Sequence, residues 1–219
     1  VVPKPYQKPH PPLWVACSNI QTIADAGAWG MGALGFSFVS PDAAQAWVHR
    51  YYNTLLNQPR RLGIYPTNPN IAIVNGFMCA ETDAEALEKA AGWTFFIFAL
   101  SYYGRKGVDA PGQGNLWEAY QAWRATDKAK AALKNGLIGS PETIRKRLRQ
   151  FEAAHVDQVI LLNQAGKTSP QDICSSLKLF AEQVMPEFHA RQPEQDAWKA
   201  QVLDGTLTLE ELDTSEYDL

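Results

Sequence analysis

The residues best suited to chemistry lie in one short junction, Ser18-Asn19-Ile20-Gln21-Thr22. It follows an apolar run, Leu13–Cys17, that reads as a buried strand, and it opens a helix expected over Asn19–Trp29. A helix start presents backbone N–H groups with no intrahelical acceptor, and the helix dipole makes that end positive. Two hydroxyls and an amide stand beside those donors. The chemistry on offer is anion binding, most simply of a phosphate.

Other helix starts in the chain are built differently. Ser40-Pro41-Asp42, Ser140-Pro141-Glu142 and Ser169-Pro170-Gln171-Asp172 each combine a capping serine, a proline at the first helical position and an acid in the first turn. There the protein's own carboxylate answers the dipole. Ser18–Thr22 has no proline and no acid before Asp25, so it is open to an anion from outside. The alternative is an ordinary N-cap at Ser18 or Asn19.

Few other side chains suggest chemistry. The expected strand ends carry no lysine, no Cys-His pair and no carboxylate pair for acid–base or nucleophilic work. Cys17 adjoins the junction, but its apolar strand predicts a packed thiol. Glu81 reads as part of the turn before a helix. Of the histidines, His10 lies in an extended arm, His49 and His155 on helices and His189 after Pro186. His155 reads as a partner for a helix dipole rather than a catalyst. An absence of catalytic side chains fits a protein whose cofactor carries the chemistry.

The elements that must hold the junction form a repeat. Leu13–Cys17 precedes helix Asn19–Trp29, and Ala33–Phe38 precedes helix Pro41–Leu56. Asn70–Cys79 precedes helix Ala84–Tyr103. Asp157–Leu162 precedes helix Pro170–Val184, which is expected to stop at Pro186. Four nearly uncharged strands alternating with amphipathic helices predict an α/β fold with a parallel sheet and helical crossovers. Extra material lies between the third and fourth units. Gly104–Asn115, with four glycines and a proline, is a loop, either a mobile lid with Arg105 and Lys106 at the mouth or simply disordered. Trp117–Lys134 and Pro141–His155 read as helices. Trp93–Tyr103 is too short to span a bilayer and apolar nearly all round, hence buried.

The expected organisation is a Pro-rich arm over 1–12, one domain over 13–189 and an acidic tail over 190–219. The arm holds five prolines and the tail eight acids against two bases. The tail's net charge of −6 leaves +3 on the rest of a chain of net −3, with no basic signature for nucleic acid or anionic lipid. Leu207, Leu209 and Leu212 could dock the tail; otherwise it is solvated. Three scattered cysteines show no metal-ligand spacing and point to a reduced, cytoplasmic setting. The N-terminus shows no signal-peptide pattern. The chain opens on Val1 without an initiating methionine, as though a linker from a longer protein feeds the first strand.

Taken in order, L-W-V-A-C-S-N-x-x-T-x-x-x-A-x-x-x-G, G-A-L-G-F-S-F, I-G-S-P-E-T-I-R-K-R-L-R-Q-F-E-A-A-H-V-D-Q-V-I-L-L-N-Q-A-G and D-I-C-S-S-L-K-L-F-A-E-Q-V-M-P-E-F resemble the bacterial luciferase-like flavin monooxygenases. The resemblance covers about residues 3–188. It implies half of a TIM (β/α)₈ barrel, strands 5 to 8, with an insertion before the last unit. It also implies that FMN, as reduced flavin, acts with O₂ on a small organic substrate, its phosphate held at Ser18, Asn19 and Thr22. Many members carry a small hydroxyl residue where Asn19 stands. Phe36, Asn75, Gly76, Phe77, Asn163 and Gln164 would lie at the strand ends, lining the flavin or substrate pocket or packing its wall. A deazaflavin (F420) oxidoreductase of the same fold is the second enzymatic reading. A non-catalytic, flavin-binding or structural half-barrel that needs a partner is the third. A complete barrel needs about 250 residues. The missing N-terminal half, which in the family carries much of the active site, or another copy would then close the sheet. A homo-oligomer, commonly a dimer, is implied. The chain alone is expected to be inactive.

Overall fold

The computed structural model describes residues 2–36, 39–104, 114–127, 129–130, 136–163 and 168–213. They fall into two compact units: Val1–Val74 with Arg149–Ile160 and Arg191–Leu219, and Asn75–Leu148 with Leu161–Ala190.

The first unit begins with an exposed arm that has no regular secondary structure before Trp14. Next come β1 (Trp14–Cys17), α1 (Ile20–Trp29), β2 (Gly32–Gly35), α2 (Pro41–Asn57) and the start of β3 (Ile71–Cys79). The strands pair in parallel, Trp14 to Cys17 beside Gly32 to Gly35 and Ala33 to Gly35 beside Ile71 to Ile73. Parallel neighbours need a crossover, and α1 and α2 supply it. Among the described residues β1 is an end strand.

Local chemistry sets the helix ends. Gly30 closes α1 with φ 71°, a left-handed conformation that favours glycine. Ser40 caps α2 at the Ala43 N–H, with Pro41 and Asp42 in its first turn. The core gathers Ile23, Trp47, Val48, Tyr51, Tyr52, Ile71 and Ile73, all under 2% exposed. Tyr51 and Tyr52 keep their hydroxyls bonded, to Met31 O and Asn68 O and to Pro69 O and the Asp157 carboxylate.

The C-terminal end belongs to this unit and is largely helical. Pro186 ends α7 (Pro170–Gln183), yet it also lies in the first turn of α8 (Met185–Leu203). Proline is tolerated there because the N–H it lacks would have no helical acceptor. The boundary expected at residue 190 therefore falls inside α8. Trp198, Leu207 and Leu209 pack against the core, and Val202 is part of it.

The second unit contains the rest of β3, then α3 (Asp83–Lys89), α4 (Ala91–Tyr103), α5 (Leu116–Arg124), β4 (Leu137–Gly139), the start of α6 (Pro141–Ala153) and α7. β3 pairs in parallel with β4, Phe77 to Cys79 beside Leu137 to Gly139. Last comes β5 (Gln158–Leu162), which spans the boundary between units and pairs with β3.

Three elements differ from expectation. The helix expected over Ala84–Tyr103 is two helices, because Thr82, Asp83, Glu85 and Lys89 give α3 a complete set of ends of its own. α5 stops at Arg124 rather than continuing to Lys134, and residues 131–135 lie outside those described. β4 occupies three residues that no periodicity marked. The half-buried Arg147 guanidinium fastens it, donating to the carbonyls of Gly136 and Ile138.

Candidate functional site

The junction after β1 is a capping box. Asn19 Oδ1 accepts the Thr22 N–H at 3.0 Å, and Thr22 Oγ1 accepts the N–H groups of Asn19 and Ser18 at 3.3 and 3.2 Å. The Thr22 hydroxyl in turn bonds Asn19 O at 2.9 Å. Three of the loop's N–H groups are thus engaged locally. Ile20 and Gln21, the first two helical residues, have N–H groups that helix geometry leaves without an intrahelical acceptor. No acid stands in this first turn, as in that of the apolar α4, whereas α2, α3, α5, α6, α7 and α8 each have at least one. This donor set suits an anion such as a phosphate group.

Phe36 is the other expected site residue in the first unit. It follows β2, is 46% exposed, and donates its N–H to Cys17 O at 2.8 Å, directly beside the junction. Cys17 itself is 1% exposed, with Sγ 3.3 Å from Val15 O and Thr22 O. Burial pushes its thiol up to about 11, so it is a packed, un-ionised thiol at neutral pH.

The second unit holds the remaining expected residues. Asn75, Gly76 and Phe77 sit in the middle of β3, not at its end, and all three are buried. Alternation puts Asn75 and Phe77 on one face of the strand and Gly76 on the other. Phe77 meets Phe180 of α7 edge-on, with centroids 5.1 Å apart, so its ring is spent on helix packing. Asn75 is 1% exposed, and its Nδ2 has no hydrogen-bond partner among the described residues. Gly76 lies under Trp93 of α4, whose indole a Cβ would approach to 2.0 Å. Asn163 follows β5 and is half-buried. Gln164 lies outside the described residues, as do 105–113 of the expected lid, Arg105 and Lys106 among them.

A polar group that periodicity did not mark lies at the start of β3. Asp157 accepts from Tyr52 Oη and the Ile71 N–H, each at 2.8 Å, through Oδ2, and from Lys199 Nζ at 2.9 Å through Oδ1. Lys199 also reaches Asn70 Oδ1 at 2.7 Å. An acid just before an apolar strand run was the available signal, but its lysine lies 42 positions away. Each of these side chains has partners within the protein, which is structural chemistry. His155 stands two residues past the end of α6, its N–H bonded to Glu152 O at 2.9 Å. It has φ 56°, stacks on Trp198 and pairs Nδ1 with Gln195 Oε1 at 2.9 Å.

Among the described residues no group of three or more His, Cys, Asp or Glu side chains could hold a metal ion. No described helix is long and apolar enough to cross a membrane.

Residues 1–158 match the family model of the luciferase-like monooxygenases. No curated protein matches the chain. Among solved structures it is similar to the monooxygenase RslO1 from Streptomyces bottropensis, at 20% identity and a TM-score of 0.56, over 85% of this chain and 51% of that one. Apo-MsnO8 is similar at 21% identity and a TM-score of 0.58, over 83% and 52%. The coenzyme F420-dependent tetrahydromethanopterin reductase from Methanopyrus kandleri is similar at 18% identity and a TM-score of 0.53, over 81% and 51%. At these identities the likeness is one of fold. The chain spans about half the length of each of these structures. Its parallel α/β arrangement is that of half a luciferase-like barrel. The chain belongs to the luciferase-like monooxygenase family.

Proposed function

We propose that this chain is the C-terminal, FMN-phosphate-binding half of a flavin-dependent monooxygenase that acts on a small organic substrate. The observation that carries the reading is the acid-free first turn of α1 in a member of this family. Ile20 and Gln21 would donate their N–H groups to the phosphate. The Asn19–Thr22 capping box would hold that turn in place, and Asn19 Nδ2 and the Ser18 hydroxyl would line it. Phe36, bonded to the end of β1, stands where a flat ring system could lie against it. Reduced flavin, when bound, supplies electrons for the reaction with O₂. The chain's own part is to fix the phosphate and shield it from water.

Closure of the barrel would come from the N-terminal half of the fold or from a second copy in a homo-oligomer. In support, β1 is an end strand among the described residues, and the chain matches about half of each related structure. An exposed strand edge favours such pairing. A cytoplasmic location is part of this reading, and the three free cysteines are in keeping with it. The similarity to an F420-dependent reductase keeps a deazaflavin oxidoreductase as the second reading.

Titration of the chain with FMN, followed by flavin fluorescence, tests the site. FMN should bind, and Thr22→Glu should weaken it at least tenfold, by placing a carboxylate in the cradle. Riboflavin, which lacks the phosphate, should not respond to the substitution. Equal binding of FMN with and without Thr22→Glu overturns the assignment, and preferential binding of F420 favours the second reading. Without the other half of the barrel the chain should not oxidise an aldehyde or alkane with reduced flavin. Turnover by the 219-residue chain alone would show that the missing half does not carry the chemistry.

A further inference from the structure

Charge is divided unevenly within the first unit. Val1–Val74 holds five basic residues against two acids, whereas the tail over 190–219 holds eight acids against two bases. The fold gathers four of those cations at one end. Lys4 and Lys8 stand in the arm that feeds β1, and Arg60 and Arg61 in the loop between α2 and β3. Both segments precede strands of a parallel sheet, so both lie at its N-terminal rim. Asn68 Nδ2 ties the loop to Leu13 O at 3.0 Å, where the arm ends. Two acids near this rim are already paired, Asp25 with Arg60 at 2.8 Å and Asp157 with Lys199 at 2.9 Å. Lys4, Lys8 and Arg61 form no ion pair among the described residues.

The loop is fastened to the end of α1. The Arg60 N–H donates to Ala28 O and Tyr65 Oη to Trp29 O, each at 2.7 Å, and the Leu62 N–H donates to Tyr65 Oη at 3.2 Å. Held in this way, it presents Leu62 and a fully exposed Ile64 to water, and Leu56 in the last turn of α2 is 39% exposed. Large apolar side chains displayed beside unpaired cations mark an interaction surface.

The chain's own acids do not serve this rim. The C-terminal segment runs along α2 with Leu209 O on Asn53 Nδ2, Glu210 O on His49 Nδ1 and Glu211 on Arg50. Arg50 lies seven residues before the end of α2, about 10 Å short of it. Glu210 and Glu211 are exposed there, as is Leu212. Basic rim and acidic segment thus occupy different levels of one helix.

We propose that the rim docks a second copy of the chain, which lays Glu210 and Glu211 on it. A two-fold axis across α2 would set each rim against the other copy's acids and close the pair as a dimer. Complementary charge selects the register, and Leu62 and Ile64 supply apolar contact beside it. This surface is independent of the phosphate site and of the β1 edge.

Sedimentation velocity of the 219-residue chain tests it. A dimer should form at low salt and dissociate in about 0.5 M salt, which screens exposed charges. Lys8→Glu/Arg61→Glu and Glu210→Lys/Glu211→Lys should each weaken self-association at least tenfold, and Ile64→Asn should weaken it without changing the salt dependence. All of these side chains are exposed, so thermal unfolding should stay two-state in each variant. An equimolar mixture of the two charge-reversed variants should dimerise again, because each rim then meets a tail of opposite sign. A chain that stays monomeric at low salt overturns the proposal. So does a dimer that neither reversal weakens, or a mixture that stays monomeric. Larger open assemblies overturn the two-fold arrangement. Cosedimentation with phosphatidylglycerol vesicles, without self-association, gives the rim to a lipid surface and overturns the second copy.

Discussion

His155 and Trp198 stack ring on ring, their centroids 3.8 Å apart and their planes 3° from parallel. His155 reaches this position from a left-handed backbone, two residues past the end of α6. Trp198 also meets Tyr52 edge-on at 5.8 Å. The pair joins α8 to the turn that leads into β5. Three further contacts continue the seam: Arg191 with Glu152, Gln195 with His155, and Lys199 with Asp157.

Trp198→Ala should therefore loosen the whole C-terminal helix. The ring is only partly buried, so the expected loss is about 2–3 kcal/mol, below the full range for a buried aromatic. Urea unfolding followed by circular dichroism measures it. Trp198→Phe, which keeps an aromatic face for His155, should recover about half of the loss.

Lys199→Met should cost more. It leaves Asp157 with one oxygen unpaired, and that side chain is only 11% exposed. Removing one partner of a fully buried pair costs about 3–5 kcal/mol, so this partly buried pair stands at the low end, about 3 kcal/mol. Asp157→Asn on the same background should return part of the loss, and a double-mutant cycle reads the coupling directly.

Asp83 gives the second unit an acid-sensitive contact. The Ser140 N–H at 2.6 Å, with the Thr143 hydroxyl at 3.0 Å, holds its carboxyl below the usual carboxylate range. A depressed folded value means stability that is fully present above the unfolded pKa of about 3.9. It is lost as pH falls through the lower folded value. Asp83→Asn should therefore differ from wild type most at neutral pH and converge with it as pH falls below the folded value. Thermal unfolding midpoints across that range check the sign.

Gly76→Ala tests the close approach of β3 and α4. The added Cβ would lie 2.0 Å from the Trp93 ring. The ring or the strand must move, at about 1–3 kcal/mol. A shift in tryptophan emission should accompany the loss. Trp93→Leu should remove most of the penalty of Gly76→Ala, although it is destabilising alone.

The local elements were legible in the sequence because their causes are local. β1, α1, α2 and α7 announce themselves through apolar runs, Ser-Pro-acid starts and 3.6-residue periodicity, and the family followed from their order. The acid-free start of α1 was visible for the same reason, as a missing carboxylate at a known spacing. What the tertiary structure alone decided depends on distant partners. Asp157 finds Lys199 42 residues on, and His155 finds Trp198 from a backbone conformation that no histidine advertises. β4 exists because β3 and Arg147 offer partners to three residues too few to show a period. Asn75 and Phe77 read as pocket residues by position, yet strand alternation and Phe180 turn Phe77 into helix packing. Composition showed the tail to be acidic. Only the fold could lay its leucines on the core and carry Glu211 to Arg50, because burial of an apolar side chain depends on which surface lies within reach.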